Sequence, residues 1–96
     1  MKFQDVFRTL KQVRIENVNN IIIAHLNVNF IAKKIDALKT IIPCNVDILI
    51  CCETKLDFSY PTSQFLIEGF SKPYRKDRNR NGGGILIYIR EDIPSK

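Results

Sequence analysis

Apolar residues recur along the start of the chain at the spacing of one helix face. They stand three or four positions apart with polar residues between them, at Phe3, Val6, Phe7, Leu10 and Val13. This period predicts an amphipathic helix over residues 3–14. The polar run Asn17-Val18-Asn19-Asn20 then ends it. We interpret residues 1–19 as a lead-in to a domain that occupies residues 20–96.

Two apolar runs with a helical stripe between them follow the lead-in. Residues 21–28 are β-branched and almost continuously apolar, which predicts a central strand covered on both faces. The stripe of Ile31, Ile35, Leu38 and Ile41 or Ile42 predicts a helix that Pro43 should end, because the residue before a proline disfavours the helical conformation. Residues 46–52 predict a second buried strand.

Strand, helix and strand in this order predict a βαβ unit, whose two strands should be parallel neighbours joined by a right-handed crossover. The fold class is therefore α/β. Further on, residues 60–63 predict a turn, residues 64–67 a short strand and residues 85–90 another strand after three glycines. We expect the later strands to meet antiparallel, which gives a mixed sheet.

Composition narrows the class of protein. A chain of 96 residues forms one small domain, and 45% hydrophobic with 26% charged residues is ordinary for a globular protein. No apolar run reaches the roughly 20 residues of a bilayer span, and charges interrupt the amino terminus where a signal peptide would be apolar. Cys44, Cys51 and Cys52 form no C-x-x-C pair, which favours reduced core thiols over disulfides or zinc. We expect an intracellular protein, nuclear or cytoplasmic, with no membrane partner.

Positive charge is concentrated near the carboxyl end of the chain. The net charge is +5, and only Asp77 relieves a group of cations within nine positions, which are Lys72, Arg75, Lys76, Arg78 and Arg80. Such a local field attracts phosphate backbones, so DNA is the expected partner. The alternative is a solvated loop that only keeps the protein soluble.

Polar side chains stand where the two predicted parallel strands end. Asn27 and Asn29 follow the first strand, and Glu53 and Lys55 follow the second. Ligands of open α/β sheets bind beyond the carboxyl ends of the strands, and Mg²⁺ takes one or two carboxylates with water and substrate phosphate. This pattern favours a magnesium site with Glu53 as a ligand. Turn formation and helix capping by the asparagines, and a surface role for Glu53, are the alternatives.

Two separated motifs resemble the endonuclease/exonuclease/phosphatase superfamily. They are Leu26-Asn27-Val28-Asn29 before a helix, and Asp47-Ile48-Leu49-Ile50-Cys51-Cys52-Glu53-Thr54-Lys55-Leu56 after it. The stretches at 65–70 and 77–90 are similar to the endonuclease domains of LINE-type non-LTR retrotransposons. The resemblance covers residues 20–95. It implies a partial four-layer α/β sandwich and a magnesium-dependent cut in a DNA phosphodiester, with phosphoinositide phosphatases as another branch of the superfamily.

The resemblance also implies roles for single residues. Asn27 would orient the phosphate and the attacking water, Glu53 would bind Mg²⁺, and Asn29 would stand near the metal, although apurinic enzymes usually have Asp there. Lys55 and the 72–80 loop would touch the DNA backbone. The family places a Tyr, an Asp-x-Asn pair and a Ser-Asp-His motif further along a longer domain, and a reverse transcriptase domain can follow it. We therefore expect an amino-terminal fragment that is inactive alone.

A histidine, a glycine run and two tyrosines could each have a functional role, but a structural role fits each of them better. His25 lies within the first strand and is interpreted as a satisfied or partly buried strand residue. Residues 82–84 predict a tight turn, because a P-loop would need Gly-Lys-Ser/Thr leading into a helix. Tyr74 and Tyr88 could stack on bases but favour packing. A non-enzymatic basic nucleic-acid-binding module and a decayed reading frame remain the rival hypotheses, and no particular oligomer is implied.

Overall fold

The computed structural model describes residues 3–79 and 81–93. Its elements are α1 (Phe3–Glu16), β1 (Ile23–Asn27), α2 (Ile35–Asn45), β2 (Ile48–Cys52), β3 (Tyr74–Lys76) and β4 (Ile85–Ile89), with 3₁₀ turns at Ile31–Lys33 and Thr62–Phe65. The first helix is close to its prediction and extends two residues further. Phe3, Val6 and Phe7 lie outside the residues whose side chains are described.

The four strands form one mixed sheet in the order β1-β2-β4-β3. β1 and β2 are parallel, with Ile23 beside Ile48 and Asn27 beside Cys52. β4 runs antiparallel to both β2 and β3. The α/β class, the parallel β1–β2 pair and the mixed sheet predicted from the sequence are confirmed. The described residues contain a single sheet, so the four-layer arrangement stays a prediction.

One face of the sheet forms the core. Ala24, Leu49, Cys51, Leu86 and Tyr88 point into it from three strands. They pack with α2, the 3₁₀ turns and the loops through Val28, Ile31, Ile35, Leu38, Ile42, Val46, Leu56, Phe65, Ile67 and Phe70. The Tyr88 hydroxyl donates to the Phe65 carbonyl at 2.7 Å, so this tyrosine is a packing residue. Burial also raises the pKa of the Cys51 thiol to about 12, as expected for an inert core cysteine.

The opposite face of the sheet is open, which corrects the prediction for residues 21–28. β1 alternates exposed and buried positions, with Ile23 61% exposed and Ala24 buried. β1 also lies at one end of the described sheet, and His25 on its outer face is exposed rather than partly buried. The isoleucine run was misleading because β-branched residues favour any pleated surface, whether one or both faces are covered.

The sequence pattern had predicted that Pro43 ends α2, and this prediction is wrong. Pro43 lies inside the helix, which continues to Asn45. The Asn45 side-chain amide donates to the Ile41 carbonyl at 2.8 Å, and the Val46 N–H donates to the Ile42 carbonyl at 3.0 Å. Proline removes one donor near a helix end, and these bonds satisfy carbonyls of the last turn.

The prediction of a strand at residues 64–67 is also wrong. Thr62–Phe65 is a 3₁₀ turn, in which Phe65 is buried. Phe65 and Ile67 are buried while Leu66 is exposed, which imitates the alternation of a strand without its ladder. The strand that pairs with β4 is instead β3, which lies inside the basic segment.

The amino ends of β1 and β2 are joined by Asp47. Its carboxylate accepts bonds from the Ile22 N–H at 2.8 Å, from Arg14 Nη2 at 2.7 Å and from Arg90 Nε at 2.9 Å. Arg90 also donates to the carbonyls of Pro43 and Val46. Burial raises the pKa of Asp47, but the Ile22 bond and the two arginines outweigh it, so the pKa lies below its usual value. This Asp47 cluster ties α1, β1, β2 and the end of β4 together.

Candidate functional site

The two parallel strands stay joined beyond their carboxyl ends. The Val28 N–H donates to the Cys52 carbonyl at 3.0 Å, and the Phe30 N–H donates to the Glu53 carbonyl at 2.9 Å. The Ile31 N–H donates in the same way to the Thr54 carbonyl at 3.2 Å. The segments after β1 and after β2 therefore form one edge, as the sequence predicted.

The backbone at this edge is strained. Asn29, Phe30, Glu53 and Lys55 have φ values of 43°, 79°, 57° and 55°, and they are the positive-φ non-glycine residues of the described chain. Left-handed backbone costs about 1–3 kcal/mol per residue outside glycine, less for asparagine. Strain of this kind persists where the surroundings fix it and is concentrated at functional sites. Its restriction to one edge marks that edge as the candidate site.

Lysine ammonium groups cover the turn after β1. Lys55 Nζ donates to Asn29 Oδ1 at 2.5 Å across the two strand exits. Lys34 Nζ donates to the carbonyls of Val28 and Asn29, the latter at 3.0 Å. Two cations thus lie beside one exposed asparagine, which gives the edge a positive field suited to an anion. Lys34 was not among the residues that the polar strand ends predicted for this site.

Glu53 contacts the glycine loop that precedes β4. Its Oε2 accepts a bond from the Gly83 N–H at 3.3 Å, and the Lys55 N–H donates to the Gly83 carbonyl at 3.0 Å. A Cβ on Gly84 would stand 2.2 Å from Thr54 Oγ1, and the φ of Gly84 is 98°. Only glycine fits such an approach. The Gly82 N–H donates to the Asn79 carbonyl at 3.3 Å, so the turn lies before the glycines and not at residues 82–84, where it was predicted.

Arg78 joins the site through the glycine loop. A Cβ on Gly83 would stand 2.6 Å from Arg78 Cδ, so the arginine stem lies directly against this glycine. The guanidinium has no hydrogen-bond or ion-pair partner among residues 3–79 and 81–93, and the side chain is exposed. Arg78 is therefore a cation available to a ligand. The sequence placed it in the basic loop but could not show its position against Gly83, whose N–H donates to Glu53.

The other basic-loop residues divide into two groups. Lys72 and Lys76 are exposed, and Lys76 lies on the open sheet face opposite Ile85. Arg75 instead donates to both oxygens of Asp77, at 2.9 and 2.8 Å, and to loop carbonyls. The hydrogen bond to Asp77 raises the pKa of Arg75 further above its usual value. We expect Arg75 to brace the loop rather than contact DNA. Arg80 lies outside the described residues.

Asn27 stands slightly apart from this group. It is exposed at the last position of β1, beside Cys52. No described hydrogen bond links it to Asn29, Glu53 or Lys55. Thr54, by contrast, is fully buried between Glu53 and Lys55, and its hydroxyl has no hydrogen-bond partner among the described residues. Such an orphan hydroxyl costs about 1–3 kcal/mol and requires an explanation.

One carboxylate oxygen at this edge has coordination capacity left for a cation, and Mg²⁺ takes one or two carboxylates from a protein. Glu53 Oε1 accepts no bond from the described residues, whereas Oε2 is engaged by Gly83. The Asn29 oxygen already accepts from the Lys55 ammonium, so in this arrangement it positions Lys55 rather than facing a cation. The described chain contains no group of three or more His, Cys, Asp or Glu suited to a metal. Water and a substrate phosphate would complete the coordination.

A cleft of about 520 Å³ lies at the opposite end of the sheet, beside Arg14, Asp47 and Arg90. Both guanidinium groups already donate to Asp47 and to backbone carbonyls. The charged groups Arg14, Asp47 and Arg90 are therefore already paired with one another, which suits a structural brace better than a ligand site.

Comparison of the chain with protein-family models, with curated proteins and with solved structures finds no match. Within the described part of the chain, no helix combines the length and apolar character that a bilayer span requires. Any assignment of function therefore depends on the geometry of the strand-exit edge and on the motifs that form it.

Proposed function

We propose that this chain forms the phosphate-binding wall of a magnesium-dependent DNA endonuclease of the endonuclease/exonuclease/phosphatase type, in its retrotransposon branch. One observation carries the proposal: Asn29, Glu53 and Lys55 lie at the carboxyl ends of two parallel strands, and the Arg78 stem packs on Gly83, whose N–H donates to Glu53. Ligands of open α/β sheets bind at this position. A carboxylate with free coordination capacity and cations beside it match a metal-bridged phosphate.

The residues would act as follows. Glu53 would hold Mg²⁺, which when bound acts as a Lewis acid on the phosphodiester and its attacking water. Lys55 and Arg78 would neutralise phosphate oxygens, and Asn29 would position the Lys55 ammonium. Asn27 would orient the phosphate from the end of β1. This wall supplies charge and a ligand but no proton-transfer group, so we expect the purified chain not to nick plasmid DNA in Mg²⁺.

Magnesium binding is tested with the metal alone. In amide NMR spectra, added Mg²⁺ should shift the Gly83 resonance, because the Gly83 N–H donates to Glu53. E53Q should abolish that shift, whereas E68Q should retain it, since Glu68 is an exposed carboxylate elsewhere. Equal shifts in the wild type and E53Q would refute Glu53 as the ligand.

DNA binding is tested by fluorescence anisotropy with a labelled oligonucleotide. K55A and R78A should each weaken binding and lower the salt slope by about one, because each removes one phosphate contact. K39A is the matched control, a lysine exposed on α2. Wild-type affinity in both K55A and R78A would contradict the phosphate-binding wall.

A second candidate is a non-enzymatic basic module that binds nucleic acid. The exposed cations Lys72, Lys76 and Arg78 favour it, because they need no metal to contact phosphate. DNA binding that is unchanged by E53A and by Mg²⁺ would support this module over the endonuclease wall. Metal-dependent nicking by the chain alone would contradict both this candidate and the inactivity that we expect.

A further inference from the structure

Phe58 is the most exposed large apolar side chain of the described residues, at 99%. It stands alone between polar neighbours, Asp57 and Ser59. Single exposed apolar residues are common, so exposure by itself indicates nothing. The backbone that presents this ring distinguishes it.

The turn that carries Phe58 is fixed by its own hydrogen bonds. Asp57 Oδ1 accepts from the Ser59 N–H at 2.9 Å and from the Ser59 hydroxyl. The Tyr60 N–H donates to the Asp57 carbonyl at 3.1 Å. Phe58 therefore occupies the tip of a closed four-residue turn.

Arg75 clamps the same turn from outside. Its guanidinium donates to the Asp57 carbonyl at 2.7 Å and to the Tyr60 carbonyl at 2.6 Å, one on each side of Phe58. Asp77 holds the guanidinium in place with two bonds. The Tyr60 ring packs edge-on against Phe30, with centroids 6.2 Å apart. The backbone of Phe58 is thus held on both flanks, so a contact to its ring would order little more than two side-chain torsions.

Phe58 lies close to the candidate site. It follows Lys55 by three residues, which span at most about 11 Å. Bases along a DNA strand are about 3.4 Å apart, so the separation of the two Cα atoms corresponds to about three nucleotides at most, to which the reach of the two side chains is added. Lys33 Nζ stands 5.9 Å from the centre of the Phe30 ring, which Tyr60 of the Phe58 turn contacts.

We propose that Phe58 stacks on an unpaired or unstacked base of the DNA strand whose phosphate is held at Lys55 and Arg78. This inference rests on the proposed function, because it takes the strand-exit edge as the DNA site. A protein partner would need a contiguous apolar patch, whereas the residues on either side of Phe58, Asp57 and Ser59, are polar and the Arg75 guanidinium binds the same turn. Aromatic rings bind bases with little sequence preference, since every base has a π face.

The test uses a short single-stranded oligonucleotide that contains 2-aminopurine. Wild-type protein should quench its fluorescence on binding, because quenching reports stacking. F58A should bind roughly tenfold more weakly and lose the quenching. F58W should retain both properties. L66A is the matched control, an exposed apolar residue on a different loop, and should behave as wild type.

The outcomes separate this inference from the proposed function. F58A that binds and quenches as wild type does, while K55A binds weakly, would overturn only the stacking role. F58L with wild-type quenching would also overturn it, because leucine offers no aromatic face. DNA binding that is absent, or independent of Lys55 and Arg78, would overturn the proposed function together with this inference. Unchanged circular dichroism would confirm that F58A remains folded.

Discussion

The strand β2 carries a carboxylate at each end, since Asp47 directly precedes it and Glu53 directly follows it. Asp47 accepts bonds from a backbone N–H and two arginines, all at 2.7–2.9 Å. Glu53 accepts one described bond, at 3.3 Å, on a backbone with φ 57°. The amino end is saturated and relaxed, whereas the carboxyl end is strained and has coordination capacity left. The difference separates a charge that holds the fold from a charge that is available to a ligand.

The largest expected change in stability comes from removing the Asp47 carboxylate at the amino end of β2. D47N should lower the free energy of unfolding by about 3 kcal/mol, because it leaves two partly buried arginines without their anion. Urea denaturation followed by circular dichroism measures it. D92N is the matched control, since Asp92 is 78% exposed and lies 3.9 Å from Arg90. Equal stability of D47N and D92N would show that the Asp47 cluster does not hold the fold.

The same carboxylate should make stability depend on acid pH. The pKa of Asp47 is lowered by folding, so its contribution is complete above the usual value near 3.8 and is lost as pH falls through the folded pKa. The stability difference between wild type and D47N should therefore shrink below about pH 4. Urea midpoints from pH 6 to pH 2 measure it. A difference that stays constant over this range would contradict the lowered pKa.

A smaller effect should come from the glycine loop at the strained end. G84A should destabilise the protein by about 2 kcal/mol, because alanine disfavours positive φ and its Cβ would collide with Thr54. G82A is the matched control, with nothing within 4 Å of an added Cβ. Thermal unfolding of both variants measures the difference. Identical midpoints would refute the close packing of Gly84 on Thr54.

A glycine substitution usually destabilises a protein more than an alanine substitution does, and the positive φ at Glu53 should reverse this order. E53G should be more stable than E53A by about 1 kcal/mol, since glycine adopts φ 57° without steric cost. Both variants remove the carboxylate, so both should lose the Gly83 response to Mg²⁺. Chemical denaturation measures the first effect and NMR the second. A less stable E53G would show that the backbone at Glu53 is not strained.

The smallest effect is expected at Thr54. T54V should leave stability unchanged or raise it by up to about 1 kcal/mol, because valine replaces a buried hydroxyl that has no described partner. T40V is the control, since the exposed Thr40 hydroxyl donates to the Asp36 carbonyl and its loss should destabilise slightly. Urea midpoints measure both changes. A clear loss of stability in T54V would show that its hydroxyl is bonded in the folded protein.

The features that could be predicted from the sequence are those that depend on the local order of apolar and polar residues. The α/β class and the parallel β1–β2 pair follow from strand-helix-strand order, and polar residues at the strand ends predicted where Asn29 and Lys55 would meet. The sequence could not show which cations were free. Arg75 and Arg78 are three residues apart in one basic run, yet Asp77 and distant carbonyls occupy only Arg75. Such partners depend on tertiary structure, which no local spacing encodes.

The prediction that the first strand is covered on both faces was wrong for a related reason. Ile23 is exposed and Ala24 is buried, although both belong to one apolar run. Residue type indicates a pleated surface, but which face is covered depends on the elements that pack there. The 3₁₀ turn at Thr62–Phe65 shows the same limit, because Phe65 and Ile67 are buried by the sheet without pairing with it.

The strand order has a consequence for folding kinetics. β4 inserts between β2 and β3, so Cys52 pairs with Ile85 from more than thirty positions away. The β1–β2 pair closes through a shorter crossover, and loop closure costs more entropy as the loop lengthens. We expect Asn29 and Lys55 to come together early and the glycine loop to dock on Glu53 late. If Glu53 binds Mg²⁺ as we propose, that affinity should appear in the last phase of refolding, after most of the helical signal has been recovered.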